Sequence, residues 1–548
     1  MELIIIKAVI IDGYVDEPAV LGVPPYVSPY IRYNAGAFFS NGIEVDYYTI
    51  DQIRELDFFQ FLNNYDYLVI IAGTTVPGHY FRGSPITLNE IKKLFTINKN
   101  PLRVLGGPIT KGYTITGGKA AKVIADYLEE EYDYIVEGSL ENFLLKYPIS
   151  EDFDLKSKSS YEITDKLSVM GAEILKKHPF YPNIIVELEI SKGCDRTEGF
   201  CSFCTEPLMY GIYNERKVEN IIEEIKALNN IGIKNFRFGR SANFLAYGKT
   251  FNKGNPNPKI FEELYSEAFK YSEILHTDNA NPKYIVDNEK EVRKILETIV
   301  KYNSAGDVLS FGVESFDEEV IRENNISIFP EETFKAIKIV NEIGGIRDKN
   351  NVPKLLPGIN ILYGLIGETK KTYEKNKSYL EKIYSSDMLV RRINVRQVME
   401  FPNTKLANSK DKKKVSKKLF FDFKNFMEEY NNKMIQKVFP MGTVLENIII
   451  EKKANISFGR QLGTYPILCG INKEIELYKK INGIVVNHGS RSLTVVEKPF
   501  SFEKSTLEEI TAIKGIGKKA AQKIKFEKNI EFLENKQKEI IMNLSKII

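Results

Sequence analysis

The sequence predicts an α/β protein: an N-terminal doubly wound parallel sheet, a central βα barrel, a small C-terminal β-barrel and a helical end. Three observations support this. Strand-length apolar runs alternate with helically periodic segments over residues 1–150, and the alternation resumes at residue 184. The early runs each end in a glycine turn. Residues 441–500 then change to short strands separated by Gly and Asn turns.

In the first part the apolar runs cover residues 3–11, 67–72 and 102–105. They end at Asp12-Gly13, Gly73-Thr74-Thr75 and Gly106-Gly107-Pro108, with helical periodicity over 86–95 and 118–130 between them. Strand–turn–helix repetition argues a parallel sheet, whose ligands bind over the carboxyl ends of the strands. The loops 22–26 and 74–83 are rich in Gly, Pro and aromatics, which suits a ligand site there. Residues 151–180 are polar and weakly patterned and read as a linker. Over 181–406, strands are predicted at 184–190, 235–238, 308–313, 359–365 and 393–398. Such repetition predicts an open or closed βα barrel with its chemistry on the loops after the strands. Residues 407–440 form a basic helical segment; 408–418 hold six lysines against one aspartate. A small β-barrel is expected over 441–500, with strands at 444–450, 465–468, 483–486 and 492–496, and helices with the turn Lys514-Gly515-Ile516-Gly517-Lys518 over 501–548.

The net charge of +3 excludes a chain that binds polyanions over its whole surface, so such binding needs local patches. No apolar stretch approaches the roughly 20 residues of a membrane helix. The amino terminus lacks a basic leader and carries Lys7 and Asp12, so a cytoplasmic protein without a membrane partner is expected. Three of the four cysteines fall within eleven residues, the pattern of a metal site in a reducing compartment.

Those three, Cys194, Cys201 and Cys204, have the spacing C-x6-C-x2-C on a loop after a predicted strand. Soft thiolates suit an iron–sulfur cluster. Three of them bind three irons of a 4Fe–4S cube and leave the fourth iron for a small chelating molecule. The same residues also admit zinc completed by Cys469 or a histidine.

From residue 184 to 406 the sequence resembles the radical S-adenosylmethionine (SAM) superfamily, which implies a (βα)6-type partial barrel. The half-motif Cys201-Ser202-Phe203-Cys204 matches the family, with Phe203 the aromatic beside the cofactor; the first interval is three residues longer than the usual C-x3-C-x2-C. Phe236-Arg237-Phe238-Gly239-Arg240 ends the second strand, where the family contacts the methionine amino group. Asp278-Asn279-Ala280-Asn281 follows a third short strand. Gly312-Val313-Glu314-Ser315 resembles the GxES element after the fourth strand, and Gly364-Leu365-Ile366-Gly367-Glu368-Thr369 the GLPGET turn after the fifth. Asn394-Val395-Arg396-Gln397, followed by Phe401-Pro402-Asn403-Thr404, resembles the sixth-strand adenine site. The resemblance therefore implies SAM contacts at Phe203, Gly239, Arg240, Asp278, Asn279, Glu314, Gly367 and Val395. It implies reductive cleavage of SAM to a 5′-deoxyadenosyl radical, fed by a ferredoxin- or flavodoxin-like one-electron reductant.

The first domain resembles the cobalamin-binding-like domains that precede this barrel, on Ile135-Val136-Glu137-Gly138-Ser139-Leu140-Glu141. A histidine ligand to cobalamin is expected in D-x-H-x-x-G after the first strand. This chain reads Asp12-Gly13-Tyr14-Val15-Asp16-Glu17, with tyrosine in the ligand position, and His79 lies in a different loop. Base-on cobalamin and no cobalamin both stay open.

Residues 507–525 resemble a helix–hairpin–helix. The Gly515 and Gly517 turn with Lys514, Lys518 and Lys519 suits a nucleic-acid backbone, and the 441–500 barrel resembles the RNA-binding TRAM type. The leading expectation is a radical SAM enzyme acting on RNA. Methylthiolation is disfavoured because no cysteine precedes Cys194. The alternatives are the same enzyme acting on a metabolite or protein, and a zinc-stabilised nucleic-acid-binding protein without catalysis.

Overall fold

The computed structural model describes residues 6–17, 20–56, 58–74, 83–114, 116–147, 153–411, 415–527, 531 and 533–547. Most of the loop expected at 74–83, His79 included, lies outside the described residues. The first sheet has five parallel strands: Lys7–Asp12, Glu44–Thr49, Tyr67–Ile71, Leu102–Gly106 and Tyr134–Ile135. Their spatial order is second, first, third, fourth, fifth, the flavodoxin-like winding. The first strand, KAVIID, is apolar toward both sides. Ala8 and Ile10 join the core with Ile31 and Phe38 of helix Pro29–Ser40, while Val9 and Ile11 join Ile53 and Ile91 on the other face. Its last residue, Asp12, is buried and accepts the Tyr14 N–H and the Tyr47 hydroxyl; burial pushes its carboxyl up to about 7.

The segment expected to be a linker is instead a packed layer. Helix Tyr161–Met170 and the 3₁₀ turn Gly171–Lys177 lie along Pro29–Ser40. Glycine permits the contact: a Cβ on Gly36 would stand 2.1 Å from the Leu167 carbonyl oxygen, and one on Gly171 1.9 Å from that of Arg32. Half of the buried face of Tyr161–Met170 is Thr164 and Ser168, which is why its apolar periodicity is weak.

The central barrel is partial, with parallel strands Ile185–Glu189, Asn235–Gly239, Ile274–His276 (continued as Asn279–Ala280), Asp307–Glu314, Leu355–Tyr363 and Arg392–Gln397. The broken third strand divides the wall into two sheets. Helices such as Val218–Asn230 and Glu289–Tyr302 cover the outside. Tyr26–Val27, from the glycine- and proline-rich loop of the first domain, adds a parallel strand beside Ile185–Val186. On the other side, the first domain's Gly118 and Ala121 amides bond to Val398 and Glu400 just past the sixth strand. The first domain thus grips both margins of the open barrel.

Strands Val444–Lys452, Ser457–Gln461, Leu468–Ile471, Lys480–His488 and Ser492–Lys498 close into a five-stranded barrel in the order first, second, third, fifth, fourth. Ser457–Gln461 was not expected, because Gly459 reads as a turn; a Cβ there would stand 2.6 Å from the Ile449 carbonyl oxygen, so close strand packing requires it. Residues 465–467, expected as strand, belong to a loop. This small barrel caps the N-terminal ends of the radical-barrel strands. Tyr478 meets Phe180, Lys480 pairs with Glu273, the Val444 amide bonds to the Asn350 carbonyl, and Arg391 donates to the Tyr465 carbonyl. The loop itself enters that mouth, where the Thr464 amide donates to His276 Nδ1 at 2.7 Å and Tyr26 donates to the Gly463 carbonyl at 2.7 Å. Helices Leu507–Thr511 and Lys518–Glu527 pack on its far side through Ile510, Ile513 and Ile524 against Ile484 and Val496. Among the described residues no helix is long and apolar enough to cross a membrane.

A buried charge chain joins the first domain to the central barrel. Arg32 pairs with Glu224 at 2.7 Å, Glu224 with Arg216 at 2.7 Å, and Arg216 with Asp165 at 2.6 Å. Burial alone would raise Glu224, but the two guanidiniums hold it below the usual carboxylate range. Removing it strands both cations away from water. Glu224→Ala should therefore cost about 3–5 kcal/mol in urea unfolding; a loss under about 1 kcal/mol would show that the chain carries no such load. Asp12 gives a second expectation. Its raised carboxyl contributes stability that is fully present below its ordinary value of 3.8 and lost as pH rises through about 7. Asp12→Asn should leave unfolding stability less dependent on pH across that window, by up to about 4 kcal/mol, and an unchanged pH profile would contradict it.

Candidate functional site

The first barrel strand runs into Ser191–Lys192, which pairs antiparallel with Asn214–Glu215, and Cys194 bridges to Ile212. These contacts pinch the base of a loop that carries all three clustered cysteines. Inside the loop, Glu206 opens the short helix Glu206–Tyr210 and accepts the Gly193 amide at 2.9 Å. It also accepts Arg240 Nη1 at 3.1 Å. Arg240 is fully buried, in left-handed backbone with φ 55°, and stacks 3.5 Å over the Tyr210 ring. Its Nε stands 3.9 Å from both Glu17 of the first domain and Glu189 of the first strand. Burial pushes Glu17 up to about 7 against the downward pull of Arg240.

The second half of the loop is held from the opposite wall. Ser202 donates twice to Asn324, its amide to the carbonyl at 2.9 Å and its hydroxyl to the side-chain Oδ1 at 2.7 Å. Asn324 also bonds to both backbone groups of Ile366, in the turn after the fifth strand. Phe203 packs against the apolar cluster of Ile321, Leu365 and Leu406. The widened first interval has a structural use: Asp195 accepts Asn243 and Lys249, the Phe200 carbonyl accepts Asn325, and Arg196 bridges the Asn325 carbonyl at 2.9 Å and Cys201 Sγ at 3.1 Å. Burial pushes the Cys201 thiol up to about 11 and Cys204 well above the usual range, and the thiols raise one another. Metal binding here must displace protons.

Below the loop, alternate residues of the later strands face an open polar lumen. Gly312 is exposed and Glu314, Asn360, Leu362, Asn394 and Arg396 are partly buried, while most of their sequence neighbours are fully buried. Asn360 donates to Ser310 on the neighbouring strand, and the Asn394 amide oxygen accepts from the Arg396 guanidinium at 2.6 Å. Burial pushes Glu314 up to about 8, with Arg396 pulling it down, and its backbone has φ 63°.

The expected cofactor contacts divide. Glu314 faces the lumen, Phe203 anchors the loop, and Gly367, with φ 82°, turns the chain beside Glu323. Gly239 is required by packing, since a Cβ would stand 1.5 Å from Glu187 Oε2. Asn279 starts the second half of the broken strand. Three side chains are committed elsewhere. Asp278 is buried against Arg237 and the Ser241 amide, Arg240 against its carboxylates, and Val395 packs on the core because Asn394 and Arg396 take the inward positions. Glu17, Arg196, Glu206 and Asn324 were not anticipated; only the Asn324-Asn325 pair, ending helix Glu318–Glu323, gives a sequence signal, that of a turn.

Cys469 does not join the cysteines. It is fully buried in the small barrel, at the other end of the strands. Lys514, Gly515, Gly517, Lys518 and Lys519 are exposed, with open space around both glycines. They too lie at that far end.

Among the described residues of the first domain, no histidine stands where a protein ligand to cobalamin is expected; His79 lies outside them. Tyr14, in the ligand position, is buried with its hydroxyl on Asp51. Backbone packs against backbone over the strand ends, where a Cβ on Gly73 would stand 2.7 Å from the Asp16 amide. The cavity between these ends and the cysteine loop, lined by Tyr33, Gly107, Lys192 and Tyr210, is about 80 Å3, small beside the roughly 300–1,000 Å3 of ligand pockets.

The family model of the Radical SAM superfamily matches residues 188–378. An uncharacterized protein of Methanocaldococcus jannaschii is 42% identical over 512 residues, covering 89% of this chain and 92% of its own length. The ribosomal protein uS12 methylthiotransferase RimO of Caldanaerobacter subterraneus is 28% identical over 38% of this chain and 42% of its own length. The radical SAM methyltransferase TsrM of Kitasatospora setae shares the fold, with TM-score 0.50 and 14% identity over 73% of this chain and 75% of that one. The non-catalytic zinc reading falls with these matches: residues 188–378 form a radical SAM domain, and the chain is an enzyme of the radical SAM superfamily, whose members use a 4Fe–4S cluster and SAM.

Proposed function

We propose that Cys194, Cys201 and Cys204 hold one 4Fe–4S cluster, that SAM is cleaved reductively beside it, and that the target is a nucleic acid, most simply RNA, held by the C-terminal modules. The observation that carries the first part is one short loop, at the C-terminal ends of the strands, that carries all three clustered cysteines and is pinned to the barrel at both its ends. When bound, the cluster supplies the electron that cleaves the carbon–sulfur bond of SAM. The chain's own residues do the rest. Arg240 and Glu206 fix the loop base, and Asn324 ties its second half to the fifth-strand turn. Glu314 faces the lumen, where burial raises its carboxyl to about 8, and would hydrogen-bond the cofactor. The C-terminal part rests on the exposed Lys518 and Lys519 at the start of helix Lys518–Glu527, where free amides and cations suit a phosphate backbone.

A second reading has one observation in its favour: the basic turn and the cysteine loop lie at opposite ends of the central barrel. A small substrate in the lumen, with the C-terminal modules serving only to anchor the enzyme, satisfies that separation.

After anaerobic reconstitution and dithionite reduction, SAM should yield 5′-deoxyadenosine, and Cys201→Ala should abolish both that product and the 4Fe–4S absorption. Product formation by the variant would contradict the assignment. Arg196→Gln should keep the cluster but shift its midpoint potential to more negative values in an EPR-monitored titration, because a cationic donor to sulfur is lost; an unmoved potential would remove Arg196 from this role. Bulk RNA should bind more weakly, and with a shallower salt dependence, to Lys518→Ala/Lys519→Ala. RNA binding that is absent in the unsubstituted protein would put the small-substrate reading first.

A further inference from the structure

Four arginines are fully buried, and each meets a carboxylate: Arg32 and Arg216 at Glu224, Arg237 at Glu187, and Arg240 at Glu206. The sixth barrel strand breaks that pattern. Arg391, Arg392 and Arg396 are partly buried, yet none has a carboxylate within 4.0 Å among the described residues. Arg391 donates to the Tyr465 carbonyl at 3.0 Å and lies 5.0 Å over the Phe439 ring. Arg392 stands 4.1 Å over the Tyr465 ring. Arg396 Nε donates to the Asn394 amide oxygen at 2.6 Å. Strand alternation puts Arg392 and Arg396 on the lumen face with Asn394 between them.

The missing countercharge is felt locally. Burial and the neighbouring Arg392 push the Arg391 guanidinium down to about 10. Burial also lowers Arg396; Asp16 opposes that shift and Arg392 adds to it. The carboxyls that face the pair are Asp16 of the first domain and Glu314 of the fourth strand. Burial raises them to about 6 and about 8, and neither reaches ion-pair distance of a guanidinium. Asp16 is 5% exposed and its Oδ2 has no hydrogen-bond partner. Thr464 Oγ1, on the loop that enters the N-terminal mouth, is buried without a partner as well.

An enclosed cation without a countercharge costs stability, and a guanidinium fork is best matched by a carboxylate or a phosphate. Stability given up in this way is the mark of a binding site. Position narrows the ligand further. Arg392 opens the strand, about 13 Å before Arg396, at the mouth that Gly463–Tyr465 enter. An anion held there lies at the loop-filled end of the lumen, inside the barrel, whereas the basic C-terminal turn lies outside it beyond the small barrel. That placement favours a small molecule over a polynucleotide.

Resting on the small-substrate reading above, we propose that Arg392 and Arg396 form a subsite for a carboxylate or phosphate group of a small substrate.

The test uses the full-length reconstituted protein saturated with SAM, with inorganic phosphate and malonate as probes at constant ionic strength. At least one probe should raise the thermal midpoint of the unsubstituted protein by about 3 °C or more. The probe that binds more tightly in calorimetric titration identifies the group. Arg392→Gln and Arg396→Gln should each weaken that binding at least tenfold. Without a probe, both variants should unfold at the same or a higher temperature than the unsubstituted protein, because an uncompensated cation is gone. Lower midpoints in both variants would assign the arginines to holding the Tyr465 loop and would overturn the subsite. So would the absence of anion binding, or binding lost in Lys518→Ala/Lys519→Ala but kept in the arginine variants. Anion binding that occurs only without SAM would give the arginines to the cofactor's own carboxylate, and displacement of the probe by short RNA would give them to a nucleic acid; either result overturns the proposal. If anions bind as expected but SAM is not cleaved on reduction, the subsite stands and it is the cluster reading that fails.

Discussion

A guanidinium taken out of water must be met by carboxylates, or it destabilises whatever buries it. Arg240 is such a group, and the carboxylates around it come from three parts of the molecule: Glu206 from the cysteine loop, Glu189 from the first barrel strand and Glu17 from the first domain. The left-handed backbone at Arg240 turns the chain at the end of the second strand. One buried cation therefore fixes the base of the thiol loop against the barrel and draws the first domain down over it. The Arg32–Glu224–Arg216 chain repeats the arrangement on the outside of the same junction.

That bracing gives the molecule two distinct ends. Over the C-terminal ends of the strands lie the thiols, the lumen and the first domain, which grips both edges of the open barrel through Tyr26–Val27 and the segment around Gly118. At the N-terminal ends the small barrel inserts Gly463–Tyr465 into the mouth and places the lysine-rich turn beyond it. A polyanion bound at that turn has to extend along the outside of the barrel to reach the radical site. The separation is a constraint on any target the enzyme acts on.

Much of this was legible in the sequence, for physical reasons. Buried parallel strands are continuous apolar runs, so residues 67–72 and 102–105 announced themselves, and the clustered cysteines fixed the site to one loop. What was not legible depends on long-range pairing. Residues 151–180 read as a linker because the helix there buries Thr164 and Ser168 as well as apolar groups. Arg240 and Asp278 read as cofactor ligands because sequence position puts them at strand ends; only the fold reveals carboxylates or a second arginine already bound to them. Val395 carries the right position but the wrong side-chain direction, since its neighbours Asn394 and Arg396 take the lumen. The widened Cys194–Cys201 interval made no sense as spacing. It becomes intelligible as the span that carries Arg196 to Cys201 and Phe200 to Asn325.

The cluster proposed at Cys194, Cys201 and Cys204 would leave its fourth iron for SAM. Mössbauer spectroscopy of the anaerobically reconstituted, 57Fe-labelled protein tests this directly, with and without SAM. The expected result is a 4Fe–4S spectrum in which one iron of the four shifts to a higher-coordinate signature when SAM is added. Four irons that remain equivalent in the presence of SAM, or a protein that takes up no cluster, would contradict it.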